Sequence, residues 1–436
     1  MNKLLPRLFR HVMYNLRGGF LVRPLTIALT LGFAGALFSW MEETFPKVSE
    51  WVPKAIFPSH GDPQVAQVIL GGIGASIMTV VSIVFAILLM TLTLASMQFS
   101  PRIMLGFARD GVTQWTLGIF LGTFSYCMAA LPAARSLPHP FAPVATVLGA
   151  MALALACVAW LLFFIHHISH AISVNQIVDR IASETEAVIE DIMPWPRRKH
   201  LLAADERMED LKWELAITNE RSGYIRFIEI KRLTALAKSF HIKIQVLRRV
   251  GHFVPAGVPF LMVSRAERVS PERVAALQAA FDLGPSRTLQ QDVEFGVLQI
   301  VDIALKAISP AVNDPSTAIS CVDQLSRILI RVASREPPES RLYDPPGVLR
   351  VYVPWVGFDR LLDTAFEQIR MYAKTDVAVS LRILRALGDI ARTVQDAEIH
   401  QIVLDRANRL VAGCAERLTD HEMTEIRARL SVLQKP

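Results

Sequence analysis

The run QQDVEFGVLQIVDIALKAISPAVNDPSTAIS, residues 290–320, is the densest set of polar side chains in the sequence. Threaded on a helix, Asp292, Gln299 and Asp302 fall within about 80° of one another, and Glu294 faces elsewhere. Asp292, Asp302 and Asp314 carry hard oxygen donors suited to a cation or a polar ligand. The same letters have a plainer reading, in which NDPST starts a helix. Asp314 is then the N-cap, Pro315 occupies the first helical position, and the carboxylate accepts from free amides. His166 and His170 stand one turn apart beside His167. An HxxxH pair can hold a transition metal or respond to pH near neutrality, and it also suits a helix end at a membrane interface. Arg102 closes FSPR (99–102), where Pro101 breaks a helix. Its guanidinium either snorkels to lipid phosphate or contacts a substrate at a cytoplasmic mouth. Ser76, Thr79, Ser82, Thr91 and Thr93 are hydroxyls in an otherwise apolar stretch, the residue types that can line an aqueous path.

Nothing else in the sequence points to catalysis. There is no GxxxxGK[ST], GxSxG or HExxH pattern. Cys127, Cys157, Cys321 and Cys414 are scattered, with no CxxC spacing to suggest a disulfide framework or zinc. No cofactor is indicated, and the enzyme reading lacks positive support.

The elements that must position these residues follow from hydropathy. Of 436 residues, 52% are hydrophobic and 20% charged, with mean hydropathy +0.35, too apolar for an ordinary soluble chain. Residues 1–165 hold 10 Lys/Arg and 5 Asp/Glu; residues 166–436 hold 36 and 35. A membrane module therefore precedes a soluble one. Four apolar spans are read near Leu25–Met41, Val65–Met97, Val112–Leu131 and Phe141–Ile165, against the roughly 20 residues needed to cross a bilayer core. No small-x-small cleavage site follows Trp40, so the first run is read as a retained span. None of these runs contains an ionisable side chain, which argues against a proton relay.

Lys3, Arg7, Arg10, Arg17 and Arg23 precede the first span without an acid, whereas the next loop is acidic. The positive-inside rule then places both termini in the cytoplasm of an inner membrane. That arm supplies five units of the net charge of +6, a juxtamembrane feature suited to anionic lipid and not a nucleic-acid footprint. Gly32/Ala36, Gly71/Ala75, Gly72/Ser76 and Gly118/Gly122 recur at four-residue spacing, which suits close packing within one bundle or between subunits.

Beyond the spans, span four reads on without a breaker through FIHHISHAISVNQIVDRIASETEAVIEDIM as one long helix, ended by Pro194 and Pro196. WELAITN, GYIRFIEI, HIKIQVLRRV and VPFLMV read as strands, with a short helix near Lys231–Ser239. From Pro271 onward the chain reads as helices, apart from a Pro-rich loop near 336–347 and a short strand in LRVYVPW. The resulting units are a basic cytoplasmic arm (1–24), a four-span domain (25–165), a connecting helix and linker (166–196), a small β-rich unit (197–265) and a mainly helical domain (266–436).

Two resemblances rest on these motifs. SGYIRFI with HIKIQVLRRVGHFVPAGVPF resembles the barrel-sandwich hybrid of biotinyl- and lipoyl-type domains over about 50 residues. No Met-Lys-Met is present, so the swinging-arm role does not carry over. ASMQFSPR, FIHHISHAI, SGYIRFI, GHFVPAGVP and QDVEFGVLQIVDIALKAISPAVNDPSTA together resemble the bacterial membrane proteins grouped as domain of unknown function 2254, over nearly the whole chain. That resemblance implies a polytopic inner-membrane protein with a cytoplasmic C-terminal domain, and it transfers no functional residue.

The fold class expected is thus a polytopic α-helical membrane protein of four spans. Its cytoplasmic α+β domain would contain a small barrel-sandwich-hybrid-like β unit and a helical C-terminal part. Two functions stay open. One is a homo-oligomeric channel or transport protein, lined by span two and gated by the cytoplasmic domain. The other is a membrane-anchored scaffold or sensor that binds a protein or small ligand on its cytoplasmic surface.

Overall fold

A computed structural model of the chain describes residues 22–45, 62–98, 111–136, 140–171, 173–195, 212–344, 347–394 and 396–434. Most of the basic arm, Arg102 and the 196–211 linker lie outside those residues. The chain divides between Ser173 and Val174 into two compact units.

The described residues of the first unit form four α-helices: α1 (Val22–Thr44), α2 (Pro63–Gln98), α3 (Gly111–Ala130) and α4 (Val144–Ala171). All four contain stretches long and apolar enough to cross a membrane. At 1.5 Å per residue, the 36 residues of α2 extend about 54 Å, well beyond a hydrocarbon core of about 30 Å. The small residues divide into two groups. Gly118 and Gly122 of α3 sit against Ile27 and Leu31 of α1, and a Cβ at Gly35 would lie 2.5 Å from the Tyr126 carbonyl. These glycines let α1 and α3 pack backbone to backbone. Gly71 and Gly72 of α2, by contrast, have nothing within 4 Å of a would-be Cβ. Neutral polar contacts join the other helices. Trp160 Nε1 donates to Thr116 Oγ1 at 2.9 Å, and Tyr126 OH donates to the Thr146 carbonyl at 3.2 Å.

The expected unbroken helix out of span four is interrupted. Helix α4 ends at Ala171, Ser173 is not helical, and α5 (Val174–Ile192) starts afresh. Ser favours helix starts over helix interiors, because its hydroxyl can bond free backbone groups. Apolar periodicity alone does not register so short a break.

In the second unit the strands are β1 (Leu215–Thr218), β2 (Gly223–Ile228), β3 (Ile244–Val246), β4 (Phe253–Val254), β5 (Pro259–Val263), β6 (Phe281–Gly284), β7 (Arg341–Asp344) and β8 (Val348–Tyr352). Helix α6 (Ile230–Phe240) lies between β2 and β3, and α7 (Pro271–Gln278) precedes β6. The strands form a five-stranded sheet, order β1-β5-β3-β8-β7, and a three-stranded sheet, order β4-β2-β6. Both enclose a core that includes Ile225, Ile228, Leu233, Ile244, Phe260, Leu261 and Val351.

The sheets therefore draw on chain beyond residue 265. β6 pairs antiparallel with β2, and β8 runs parallel to β3. Neither β6 nor β7 was expected, since 271–284 reads as helix and 336–347 as loop. FDLG and RLYD are four residues each, too short for alternation to show, and they become strands by covering the open edges of β2 and β8.

The remaining helices are α8 (Val293–Ala307), α9 (Pro315–Ala333), α10 (Phe358–Tyr372), α11 (Val377–Thr393), α12 (Ala397–Ala415) and α13 (Asp420–Leu433). Helix α5 packs on α8 and α9. A Cβ at Gly296 of α8 would collide with Thr185 Oγ1 of α5. Along α9, Arg327 reaches Asp179 at 2.8 Å and Glu186 at 2.5 Å, Arg331 reaches Glu190 at 3.8 Å, and the Arg335 guanidinium stacks 3.8 Å over Trp195. The arginines of α9, spaced by four, thus meet Asp179, Glu186 and Glu190 along one side of α5.

Candidate functional site

QDVEFG folds into the most heavily bonded polar knot of the second unit. Gln291 precedes α8 and works like an extra strand residue: its side chain accepts from Ile228 N at 3.0 Å and donates to the Ile228 carbonyl at 3.3 Å. Asp292 is the N-cap of α8 and accepts from Phe295 N at 3.1 Å. Arg287 grips the same carboxylate in a fork, with Nε and Nη2 each 2.8 Å from an oxygen. Glu294, one residue inside the helix, is 4% exposed. It accepts from Arg249 at 3.1 and 3.2 Å, Arg287 at 3.2 Å, Arg360 at 3.3 Å and Thr364 Oγ1 at 3.3 Å. Two carboxylates thus face three guanidiniums that come from the β3–β4 loop, the β6–α8 loop and α10.

The electrostatics follow from this geometry. Burial pushes the Glu294 carboxyl up, but Arg249 and then Arg287 outweigh it, and the group ends below the usual glutamate range. Burial lowers the Arg287 guanidinium, and Asp292 and Glu294 together raise it above its ordinary value. His252 is pushed down by burial and by Arg249, with Glu294 opposing. Gly251 has φ +86°, and a Cβ there would fall on Asp292 Oδ2 and 2.8 Å from Arg287 Nη2. The neighbouring cleft, between Ile192, Arg249, Asp292 and Trp355, is about 10 Å³, no larger than a water needs. With its carboxylate oxygens engaged by arginines, a hydroxyl and a backbone amide, the knot locks loops to helices.

The other sequence candidates separate. Asp314 is the N-cap of α9, accepting from Thr317 N at 3.1 Å and Thr317 Oγ1 at 2.6 Å. Those bonds hold its carboxyl below the usual range. Asp302 lies half-buried on α8, about 15 Å along the axis from Asp292 at 1.5 Å per residue. Among the described residues, no group of three His, Cys, Asp or Glu is placed to hold a metal ion. Along α4, His166 is exposed and the His167 ring stacks on Phe163 at 6.4 Å; the His170 side chain lies outside the described residues. On α2, Ser76, Thr79, Ser82 and Thr93 share one exposed face, whereas Thr91 is buried on the opposite side. Three of the exposed hydroxyls donate to their own helix, Thr79 to Ala75, Ser82 to Met78 and Thr93 to Leu89, at 2.8–3.1 Å.

Two residues escape the sequence reading. Glu294 was set aside for facing away from the aspartates, and it is the hub of the knot. Glu42 falls one residue beyond the apolar run Leu25–Met41. Helix α1 runs on past it, leaving it 1% exposed. Its carboxylate accepts from Ala145 N at 2.8 Å, Thr146 N at 3.0 Å and Thr146 Oγ1 at 2.9 Å, capping α4 from another helix. The next residue, Glu43, pairs with Arg135. A signal for Glu42 exists in the sequence, since Gly32, Gly35, Ser39 and Glu42 share one helical face.

Four long apolar helices beside a separate α+β unit define the class, a polytopic membrane protein with a soluble-type module. The chain belongs to the family described as Predicted membrane protein (DUF2254), which matches residues 17–389. It is 30% identical over 404 residues to "Uncharacterized protein Rv1290c" of Mycobacterium tuberculosis and to "Uncharacterized protein Mb1321c" of Mycobacterium bovis, covering 90% of this chain and 75% of each relative. No solved structure matches the chain.

Proposed function

We propose that the protein is a homo-oligomeric channel or transport protein of the bacterial inner membrane, with both termini cytoplasmic and the second unit gating a path lined by α2. The observation that carries this reading is the open face of α2. Ser76, Thr79, Ser82 and Thr93 point away from the bundle of their own chain, and Gly71 and Gly72 on the same helix meet nothing. Hydroxyls facing lipid gain nothing, whereas the same face turned to neighbouring copies can line water, and the glycines permit close helix approach. Four helices rarely enclose such a path alone, so the proposed pore is built from several copies. Within the second unit, the β2–β5 segment is read as barrel-sandwich-like, supported by turns at Gly251 and Gly257, both at positive φ. Arg102 is assigned to the cytoplasmic mouth.

The test has two parts. Single cysteines at Ser76 and Thr79 should cross-link between copies in membranes, and the purified protein should pass small ions into proteoliposomes. A monomer in several mild detergents together with no flux over a broad ion panel defeats the proposal. A second reading, a membrane-anchored sensor or scaffold, is favoured by an open, charged cleft in the helical part of the second unit.

A further inference from the structure

We propose that the cleft between α11 and α13 is a binding site for a small, multiply charged phosphate. This develops the sensor reading and is independent of any pore. The argument starts from the charge count in two clefts of the same helical layer. The first, lined by Asp363, Glu367, Arg370 and Arg406, is neutral. Arg406 forks onto Asp363 at 2.6 and 2.9 Å, and Arg370 forks onto Glu367 at 2.6 and 3.0 Å. It encloses about 20 Å³ and is closed to anything larger than water.

The second cleft is lined by Arg385, Asp389 and Arg392 of α11 and Arg429 of α13, over a floor of Leu384, Gly388 and Leu433, and it encloses about 240 Å³. Here three guanidiniums meet one carboxylate. Asp389 lies 3.2 Å from Arg392 and 3.9 Å from Arg385, and Arg429 has no carboxylate partner among the described residues. Among the described residues that line it, the cleft has two more positive charges than negative ones.

At the floor, Gly388 of α11 lies against Leu433 of α13, where a Cβ would make ordinary contact at 3.7 Å. Arg385, Asp389 and Arg392 recur at i, i+4 and i+7, a spacing that keeps them on one side of α11. Guanidiniums match phosphate oxygens in planar, paired geometry that a halide cannot use, and several arginines around one site favour an anion with more than one negative charge over a single carboxylate. The volume lies near the lower end of small-molecule sites, which suits a phosphate or diphosphate end whose remainder projects outward. The family match stops at residue 389, so Arg392 and Arg429 lie beyond it, and the inference concerns this chain.

Asp389 gives the test a sign that a merely structural role would not reproduce. It competes with the ligand for Arg385 and Arg392, so removing its charge should tighten binding. Inorganic pyrophosphate would be titrated calorimetrically into the full-length protein in neutral detergent, at low and moderate salt. Pyrophosphate should bind, more weakly as salt rises. Arg392→Gln and Arg429→Gln should each weaken binding about tenfold, as expected for losing a charged hydrogen bond, and Asp389→Asn should strengthen it severalfold. These side chains are substantially exposed, so melting temperatures should stay near that of the parent. No binding of pyrophosphate, or equal binding by all three variants, overturns the proposal. So does a response only to vesicles containing phosphatidylglycerol, since the site would then be a lipid contact. Because flux and cross-linking are not read in this experiment, its failure leaves the pore proposal standing, and the converse holds.

Discussion

Among the described residues each unit buries one glutamate, and the two are satisfied by opposite means. In the apolar bundle, Glu42 is met by two backbone amides and a hydroxyl at the start of α4, with no cation among the hydrogen-bond partners of its carboxylate. In the second unit, Glu294 is met by Arg249, Arg287 and Arg360. Burying a guanidinium among apolar helices would add a second costly desolvation, whereas a helix N-terminus offers amides that need an acceptor anyway. Where loops and sheets converge, several arginines can share one carboxylate, and the network fixes how distant segments meet. Glu42 thus completes a helix, and Glu294 joins three segments.

Substitutions can sharpen that contrast. Glu294→Leu should cost the most, about 3–5 kcal/mol, because it leaves buried guanidiniums facing one carboxylate fewer. A thermal melt of the detergent-solubilised protein unchanged from the parent would show that the knot is not structural. Gly251→Ala should follow at about 2–3 kcal/mol, from backbone strain at positive φ and the collision with Asp292. Limited proteolysis should then open the second unit first. Glu42→Ala should cost about 1–2 kcal/mol, the range of a lost helix cap. It should be partly rescued by Glu42→Gln, which keeps an acceptor oxygen; if a cation were the true partner, Gln would fare as badly as Ala. Arg331→Ala should be smallest, within about 1 kcal/mol, since its ion pairs at the α5–α9 contact are long and partly exposed.

Acid should test the second unit's knot directly. His252 has a folded value below its ordinary 6.5, so its unfolded form binds more protons, and stability falls as pH drops below 6.5. Glu294 has a folded value below its ordinary 4.5, so its contribution is intact above that point and is lost as pH falls through the depressed value. Melting temperature against pH should therefore decline in two stages. His252→Gln should remove the first stage and leave the second.

What could be read from the sequence was local. Asp314 was legible as a cap because its partner Thr317 is three residues away. The spans were legible because lipid demands long apolar runs. Asp292 was placed on the helix it begins, a displacement of one residue that turns a surface carboxylate into a buried cap. Glu294 and Glu42 find their partners 45 and 103 residues away at the nearest long-range contacts, and no periodicity carries that information. The glycines of α2 and α3 look alike in sequence; only the packed helices reveal that Gly118 and Gly122 are spent on α1 while Gly71 and Gly72 are open.

Helix α5 begins the second unit, and its seating there has a consequence for the polar knot. Helix α5 is riveted to α9 by a row of charges and keyed into α8 at Gly296. A shift of α5 would therefore bear first on the opening turn of α8, the turn that carries Glu294.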